Sequence, residues 1–261
     1  MLYRTLKKNW LTRLAARASL TVIPTWRMED FPLAEHTRRI FDQYEVNLAL
    51  DVGGNRGLYR NFLREQVGYS GDIVTFEPIP ELAQQLRERA AKDNRWTIVE
   101  AALAETGGIR TFNIMQADVF SSFLAPDHSQ LERPSAVNQV VRTIDVRAER
   151  LADWSTTFAG YRERTVFLKL DTQGYDLHVL QGAGESLNNV VALQTELSFV
   201  SIYSQMPGFK DVLAWLEKAG FDPSFFFPVS FLPDISSLEM DGILVRRRPA
   251  AACPVDAAVP A

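Results

Sequence analysis

Leu48-Ala49-Leu50-Asp51-Val52-Gly53-Gly54-Asn55-Arg56-Gly57 runs from an apolar stretch into an aspartate and then into Gly-x-x-x-Gly at the start of a helical pattern. A buried strand therefore turns sharply into a helix. Glycines at such a turn remove the Cβ atoms that keep a ligand away from the backbone, and the helix start offers unpaired N–H groups to a polar or anionic group. The geometry is that of a cofactor pocket. Asp51 precedes the glycines, whereas a dinucleotide fold places Gly-x-Gly-x-x-Gly directly after its strand, so the spacing disfavours a nicotinamide cofactor.

Outward from this turn, strand and helix patterns alternate. Helices are expected over 32–44, 57–67 and 80–91, and strands over 47–51, 73–76 and 96–100. That order is one half of a doubly wound sheet. The middle, 107–146, carries β-like runs at 109–114 and 140–146 around a polar loop with Asp118, Ser121, Ser122 and His128. Regular alternation then resumes with a strand over 165–171, a helix through Asp176, Val179 and Leu180, a strand over 190–196 and a helix over 209–219. Segments 225–232 and 242–245 would close the sheet as an antiparallel pair. One α/β domain of 47–248 follows, preceded by a helical cap over 1–46 and followed by a disordered Ala/Pro-rich tail over 249–261.

Composition narrows the function. With 261 residues, 46% of them hydrophobic, the chain can bury one sizeable core. A net charge of −4 supplies no general field for nucleic acid. The lone cysteine, Cys253, excludes an internal disulfide and a cysteine-based zinc site, and a reducing cytoplasm fits it best. Residues 1–28 stand apart, with Arg4, Lys7, Lys8, Arg13, Arg17 and Arg27 and no acidic residue. Tyr3, Leu6, Trp10 and Leu14 could share a helical face there, so both a capping helix and a contact with an anionic membrane surface stay open. No stretch has the pattern of a signal peptide or a membrane-spanning helix.

Glu77, at the tip of the second strand, is placed to accept hydrogen bonds from the two hydroxyls of a ribose. Joined to Asp51 and the glycine turn, it suits S-adenosylmethionine. Methyl transfer to an alcohol then needs a base, because a hydroxyl is a poor nucleophile while it keeps its proton. Asp171 and Glu196 end neighbouring strands on the side where open α/β sheets bind ligands, and they are the catalytic candidates. Either one takes the proton while the other orients the acceptor, or both hold a magnesium ion with a third ligand from the loops; the metal-free version is favoured. A helix-capping role for Asp171 is the plain alternative. His128 is a possible base on a covering loop, although a surface histidine is the simpler reading. His178 reads as a solvent-facing helix residue, His36 has no visible company, and Tyr203 and Met206 suit either the acceptor pocket or the core.

Asp51-Val52-Gly53-Gly54-Asn55-Arg56-Gly57, Phe76-Glu77-Pro78, Lys169-Leu170-Asp171-Thr172-Gln173-Gly174-Tyr175-Asp176 with Val179-Leu180-x-Gly182-Ala183, and Glu196 together resemble the FkbM-type S-adenosylmethionine-dependent methyltransferases. The resemblance spans about 48–244 and departs from the family at Gln173 and Asp176, where glutamates are frequent. It implies a class I methyltransferase (Rossmann-like) doubly wound sheet of seven strands, mostly parallel with an antiparallel closing strand. It also implies O-methylation of a sugar, glycan or natural-product hydroxyl. By carry-over Asp51, Gly53, Asn55 and Gly57 would surround the methionine portion and Glu77 the ribose, with Gly54 and Ala102 completing the cofactor set. N-methylation and mere donor binding are the alternatives. The place after the fourth strand reads Asp171-Thr172-Gln173-Gly174, not the Asn/Asp-Pro-Pro-Tyr common in nitrogen methylation.

Overall fold

The structure is a computed structural model that describes residue 17 and residues 23–129 and 137–247. The proposed helical face over 3–14, most of the basic segment and the tail lie outside the described residues. Among the described residues no helix is long and apolar enough to cross a membrane.

The chain enters through a short turn, Thr25–Arg27, and helix α1, Phe31–Tyr44. Arg27 is buried there and donates to the Gln66 carbonyl at 2.9 Å, which fixes the entry against the body of the protein. Strand β1 is Leu48–Val52, every residue of it buried, as a parallel strand flanked on both edges and covered on both faces requires. Helix α2, Leu58–Asn61, opens after Gly57 and widens into a π-helical turn over Phe62–Val67. The single helix expected over 57–67 is thus two segments of different pitch. There follow β2 (Asp72–Phe76), α3 (Pro80–Ala90), β3 (Trp96–Val99), β4 (Ala102–Leu103), β5 (Gly108–Met115) and β6 (Val140–Glu149). The second half holds α4 (Leu151–Thr157), β7 (Val166–Leu170), α5 (Asp176–Gln181), β8 (Val190–Ser198), α6 (Phe209–Lys218), β9 (Phe221–Phe231) and β10 (Ser237–Arg246).

Seven strands form one sheet in the order β3-β2-β1-β7-β8-β10-β9, with β10 antiparallel to both its neighbours. The remaining three make a small sheet, β4-β6-β5, so the β-like runs of the middle region pair antiparallel with each other instead of extending the main sheet. Strand period two divides the core. Leu48, Leu50, Val52, Leu168 and Leu170 pack with Trp154, Leu180 and Leu216. Ala49, Phe167, Ala192 and Ile243 pack with Leu33, Ile40 and Phe41 of α1 and Leu63 of the π-helical turn.

The second face matters for function. The register aligns Thr75, Asp51, Lys169 and Gln194 across β2, β1, β7 and β8. Paired residues share a face, so four polar side chains lie in one row beside the cluster under α1. Polar groups within such a sheet need partners, and each of these has them.

Candidate active site

Above the carboxyl ends of β1, β2 and β7 lies a cavity of about 590 Å³. Its first half is built largely from backbone. Gly53 and Gly54 donate their N–H groups to the Phe76 carbonyl at 3.1 and 3.0 Å, which seats the turn on the end of β2. Gly53 has φ +82°, and a Cβ there would stand 2.0 Å from the Asp171 carbonyl oxygen; one at Gly54 would stand 2.0 Å from Cγ2 of Thr75. These glycines therefore let three strand ends approach one another. The close approach inferred from the sequence is made by the protein's own chain.

Asn55, at φ +43°, donates its N–H to Glu77 Oε2 at 2.6 Å, and Ile79 donates to Oε1 at 2.8 Å. Glu77 is buried, and burial pushes its carboxyl up to about 7 against the opposing pull of those two N–H groups. Each oxygen uses one acceptor position on the backbone and keeps a second. Around Glu77 the wall is apolar: Ile79, Ala102, Leu103, Phe112 and Phe123. Across the rim Arg56 pairs with Asp118 at 2.8 Å. A carboxylate with spare acceptor positions, a glycine turn and an apolar slot beside it match the ribose, the amino-acid end and the base of S-adenosylmethionine.

Side chains build the other half. Lys169 is buried between Asp51 and Asp171, with Nζ 3.3 Å from a carboxylate oxygen of each. Burial works against its charge, but Asp171 and Asp51 outweigh it and hold the lysine above its ordinary range. Thr75 donates to Asp51 Oδ2 at 3.1 Å and accepts from Trp96 Nε1 at 2.9 Å. Asp171 also accepts from Gln173 Nε2 at 2.9 Å. Next along the row, the Tyr59 hydroxyl donates to Gln194 Oε1 at 2.9 Å, and Gln194 Nε2 donates to Asp241 Oδ2 at 3.0 Å. Trp26, Leu33, Leu58 and Phe62 wall this half towards α1 and α2.

Of the residues expected to hold the donor, Gly53, Gly54, Asn55, Glu77 and Ala102 line the cavity. Asp51 and Gly57 sit behind it. Asp51 is fully buried in the polar row, and Gly57 is packed against Leu86 and Trp96. Of the two catalytic candidates, Asp171 lines the cavity and Glu196 does not. Glu196 is raised well above the carboxylate range by burial, with Glu239, which it hydrogen-bonds, and Asp171 adding to the effect.

The magnesium version loses its footing for the same reason. Asp171 is committed to Lys169 and Gln173, Glu196 to Glu239 and, at 3.5 Å, to the same Gln173 amide, and among the described residues no three His, Cys, Asp or Glu side chains are grouped to hold a metal ion. Asp176 is buried and accepts from Thr172 N–H at 2.9 Å and from Thr195 Oγ1 at 2.7 Å, tying the Asp171 loop to β8. Tyr203 and Met206 belong to a core cluster with Met115 and Ile202 and do not line the cavity. His128 Nε2 lies 2.8 Å from the Asn138 carbonyl, while His178 stacks on Tyr175; neither lines the cavity.

Lys169, Tyr59, Gln194 and Asp241 are the site residues that sequence reasoning missed. Two left a signal: Lys169 interrupts an otherwise apolar buried strand, Gln194 ends the apolar run Val190 to Leu193, and a charge or amide in such a place needs a partner. Tyr59 and Asp241 left none.

The strand order, with an antiparallel strand inserted between the last two parallel ones, is that of a class I, Rossmann-like methyltransferase. Residues 51–223 match the model of the methyltransferase FkbM domain, and the chain belongs to this family of S-adenosylmethionine-dependent methyltransferases. Among solved structures it is similar to the methyltransferase FkbM of Methylobacillus flagellatus KT, at 14% identity and a TM-score of 0.45, over 76% of this chain and 44% of that one. It is also similar to Aeropyrum pernix fibrillarin with natively bound S-adenosyl-L-methionine, at 9% identity and a TM-score of 0.42, over 76% of this chain and 66% of that one. The chain thus spans less than half the length of the Methylobacillus protein. No curated protein sequence matches it significantly.

Proposed function

We propose that the protein transfers the methyl group of S-adenosylmethionine to a hydroxyl of a sugar, glycan or natural-product scaffold. The observation that carries this reading is the single cavity in which the glycine turn and Glu77 face the same space as Asp171, Lys169 and Asp241. Glu77 holds the ribose, the apolar residues from Ile79 to Phe123 hold the base, and Gly53 to Asn55 receive the amino-acid end. The bound donor supplies an electrophilic methyl on a sulfonium.

What the protein adds is placement, since an in-line displacement gains most from orientation, about 7–11 kcal/mol in well-aligned systems. Asp171 orients the acceptor hydroxyl, and the ion pair with Lys169 fixes Asp171 in place. Trp26, Leu58 and Phe62 supply apolar surface against which the non-reacting part of the acceptor packs and from which water is expelled. A carboxylate-rich floor suits hydroxyl groups, which donate to it.

The test is incubation of the full chain with labelled S-adenosylmethionine and extracts of the native organism, followed by mass analysis of the methylated product. Label on an alcohol oxygen supports the proposal. Label on nitrogen replaces it with N-methylation, and donor binding without transfer to any fraction replaces it with a binding role. Asp171→Asn should leave donor affinity nearly intact while turnover collapses; loss of donor binding would assign Asp171 to the donor instead.

A further inference from the structure

We infer that Asp241, on β10, is the group that takes the proton from the acceptor hydroxyl. This rests on the methyl-transfer reading above and adds the base that reading lacks. Asp171 was the natural candidate from sequence, but both its oxygens are engaged, Oδ2 by the buried Lys169 ammonium and Oδ1 by Gln173 Nε2. A proton arriving there would break the ion pair of a buried ammonium, one of the two that hold Lys169. Asp241 is differently placed. It lines the same cavity, its Oδ2 accepts from Gln194 Nε2 at 3.0 Å, and among the described residues no hydrogen bond reaches Oδ1. It also closes the polar row that begins at Trp96, so its position is fixed through Gln194 and Tyr59.

The charged and titratable groups facing it are Lys169 on β7, Asp171 in the loop beyond, Asp176 on α5, Tyr59 on α2 and, across the β8 register, Glu196. Burial pushes the Asp241 carboxyl up to about 7, Asp171 adds to the rise, and Lys169 and the Gln194 hydrogen bond oppose it. A base serves best when its pKa lies near the working pH, because it is then both ionised and strong enough to attract the proton. Such a carboxylate is poised for that task at neutral pH.

The step balances as follows. A lone pair of the acceptor oxygen forms the O–CH₃ bond as the S–CH₃ bond breaks, and the sulfur keeps the electron pair of the broken bond. The hydroxyl proton moves to Asp241 Oδ1 and leaves to water after the product departs. No oxidant, reductant or metal enters.

The test compares the full-length wild type with Asp241→Asn and Asp241→Glu, using labelled S-adenosylmethionine and the extract fraction that the wild type methylates. S-adenosylhomocysteine affinity, measured by calorimetry, should stay within about twofold for both variants, because Asp241 stands on the acceptor side. At saturating donor, the turnover of Asp241→Asn should fall by about 10²–10⁴-fold, the usual worth of a positioned base, and Asp241→Glu should recover part of it. Wild-type turnover should rise with pH to a plateau through an inflection near 7 that is absent from Asp241→Asn. Glu77 titrates in the same range but acts through donor binding, so saturating donor removes it from the comparison.

If Asp241→Asn does not fold, Gln194→Leu supplies the reading. Removing the hydrogen bond that favours the ionised carboxylate should move the inflection to higher pH, and an unmoved inflection overturns the proposal. Asp241→Asn turning over within threefold of wild type, with its inflection intact, also overturns it and leaves the methyl-transfer reading standing. A wild type that binds the donor and labels no fraction overturns both.

Discussion

The two halves of the cavity are made of different material. Around the glycine turn and Glu77 the contacts are mostly backbone: N–H groups of Gly53, Gly54, Asn55 and Ile79, and Cα hydrogens where any side chain would collide. Opposite, the contacts are side chain to side chain, in a row from Trp96 through Thr75, Asp51, Lys169 and Asp171, and on through Tyr59 and Gln194 to Asp241. A backbone-built half tolerates few substitutions but is specified within a few residues of chain. A side-chain row is drawn from seven elements and the loop after β7, and can be retuned one residue at a time. A fixed donor and a variable acceptor call for that division. The two halves meet at Asp51 and Lys169, where the row passes beneath the turn.

That junction is the place to break the comparison. Lys169→Met removes the only cation between two carboxylates, one of them fully buried, and should cost about 3–5 kcal/mol of stability in chemical denaturation. Because Asp51 underlies the glycine turn, donor affinity should fall as well. Pairing the change with Asp51→Asn should return most of the lost stability, since the penalty comes from an orphaned charge. If the single variant is as stable as wild type, the two halves are independent and the junction has no mechanical role.

Next in size is a test of the backbone half alone. Gly53→Ala forces a Cβ against the Asp171 carbonyl at a positive φ, and the combined overpacking and strain should cost roughly 2–4 kcal/mol. Gly68→Ala is the control: its φ is +81° but nothing stands within 4 Å, so strain acts without collision and the cost should be about 1 kcal/mol. Equal losses in the two variants would mean that the approach of β1 to β7 is not what Gly53 is for.

Glu77 sharpens the same half through pH. Its carboxyl titrates near 4.5 when free and is pushed up to about 7 in the fold. Between those values the folded chain keeps a proton that the unfolded chain has lost. Stability therefore falls as pH rises from about 4.5 to about 7 and levels off above, by on the order of 1–3 kcal/mol for this group. Asp241 titrates in the same direction, so the slope is assigned by difference, and Glu77→Gln should flatten it. Ribose hydroxyls donating to Glu77 favour the ionised form, so donor binding near pH 7 should release roughly half a proton, measurable by calorimetry in buffers of different ionisation enthalpy. No release would remove Glu77 from the ribose.

The same division explains how far the sequence could be read. The strands and helices and the order of the first half follow from local patterns, because apolar periodicity and Gly or Pro punctuation are properties of neighbouring residues. Glu77 was legible since it ends a strand one helix away from the turn. The row was not, since Tyr59 meets Gln194 across 135 residues and Gln194 meets Asp241 across 47, and only the sheet register brings them together. The closing pair β9 and β10 was foreseen, but not that Asp241 on it would face Lys169. Glu196 was misplaced for the complementary reason. A place at a strand end in sequence points it at the ligand, but β8 continues to Ser198 and β10 lies alongside, so Glu196 lies by Glu239 and reaches the cavity only through Gln173, which also donates to Asp171.

The smallest effect is expected there, and it decides whether the acceptor half extends beyond the row. Burial, with the neighbouring acids Glu239 and Asp171 adding to it, holds Glu196 well above the usual carboxylate range, so the fold favours its protonated form. Glutamine has nearly the same shape and donates an N–H where the protonated acid donates an O–H. Glu196→Gln should therefore leave donor affinity unchanged and turnover within about threefold, with stability equal to wild type or higher by about 0.5 kcal/mol once the acid pair is relieved. A fall in turnover approaching 10²-fold, the lower range for losing a positioned acid or base, would instead place Glu196 among the reacting groups. The boundary of the acceptor half would then move from Asp241 to the end of β8.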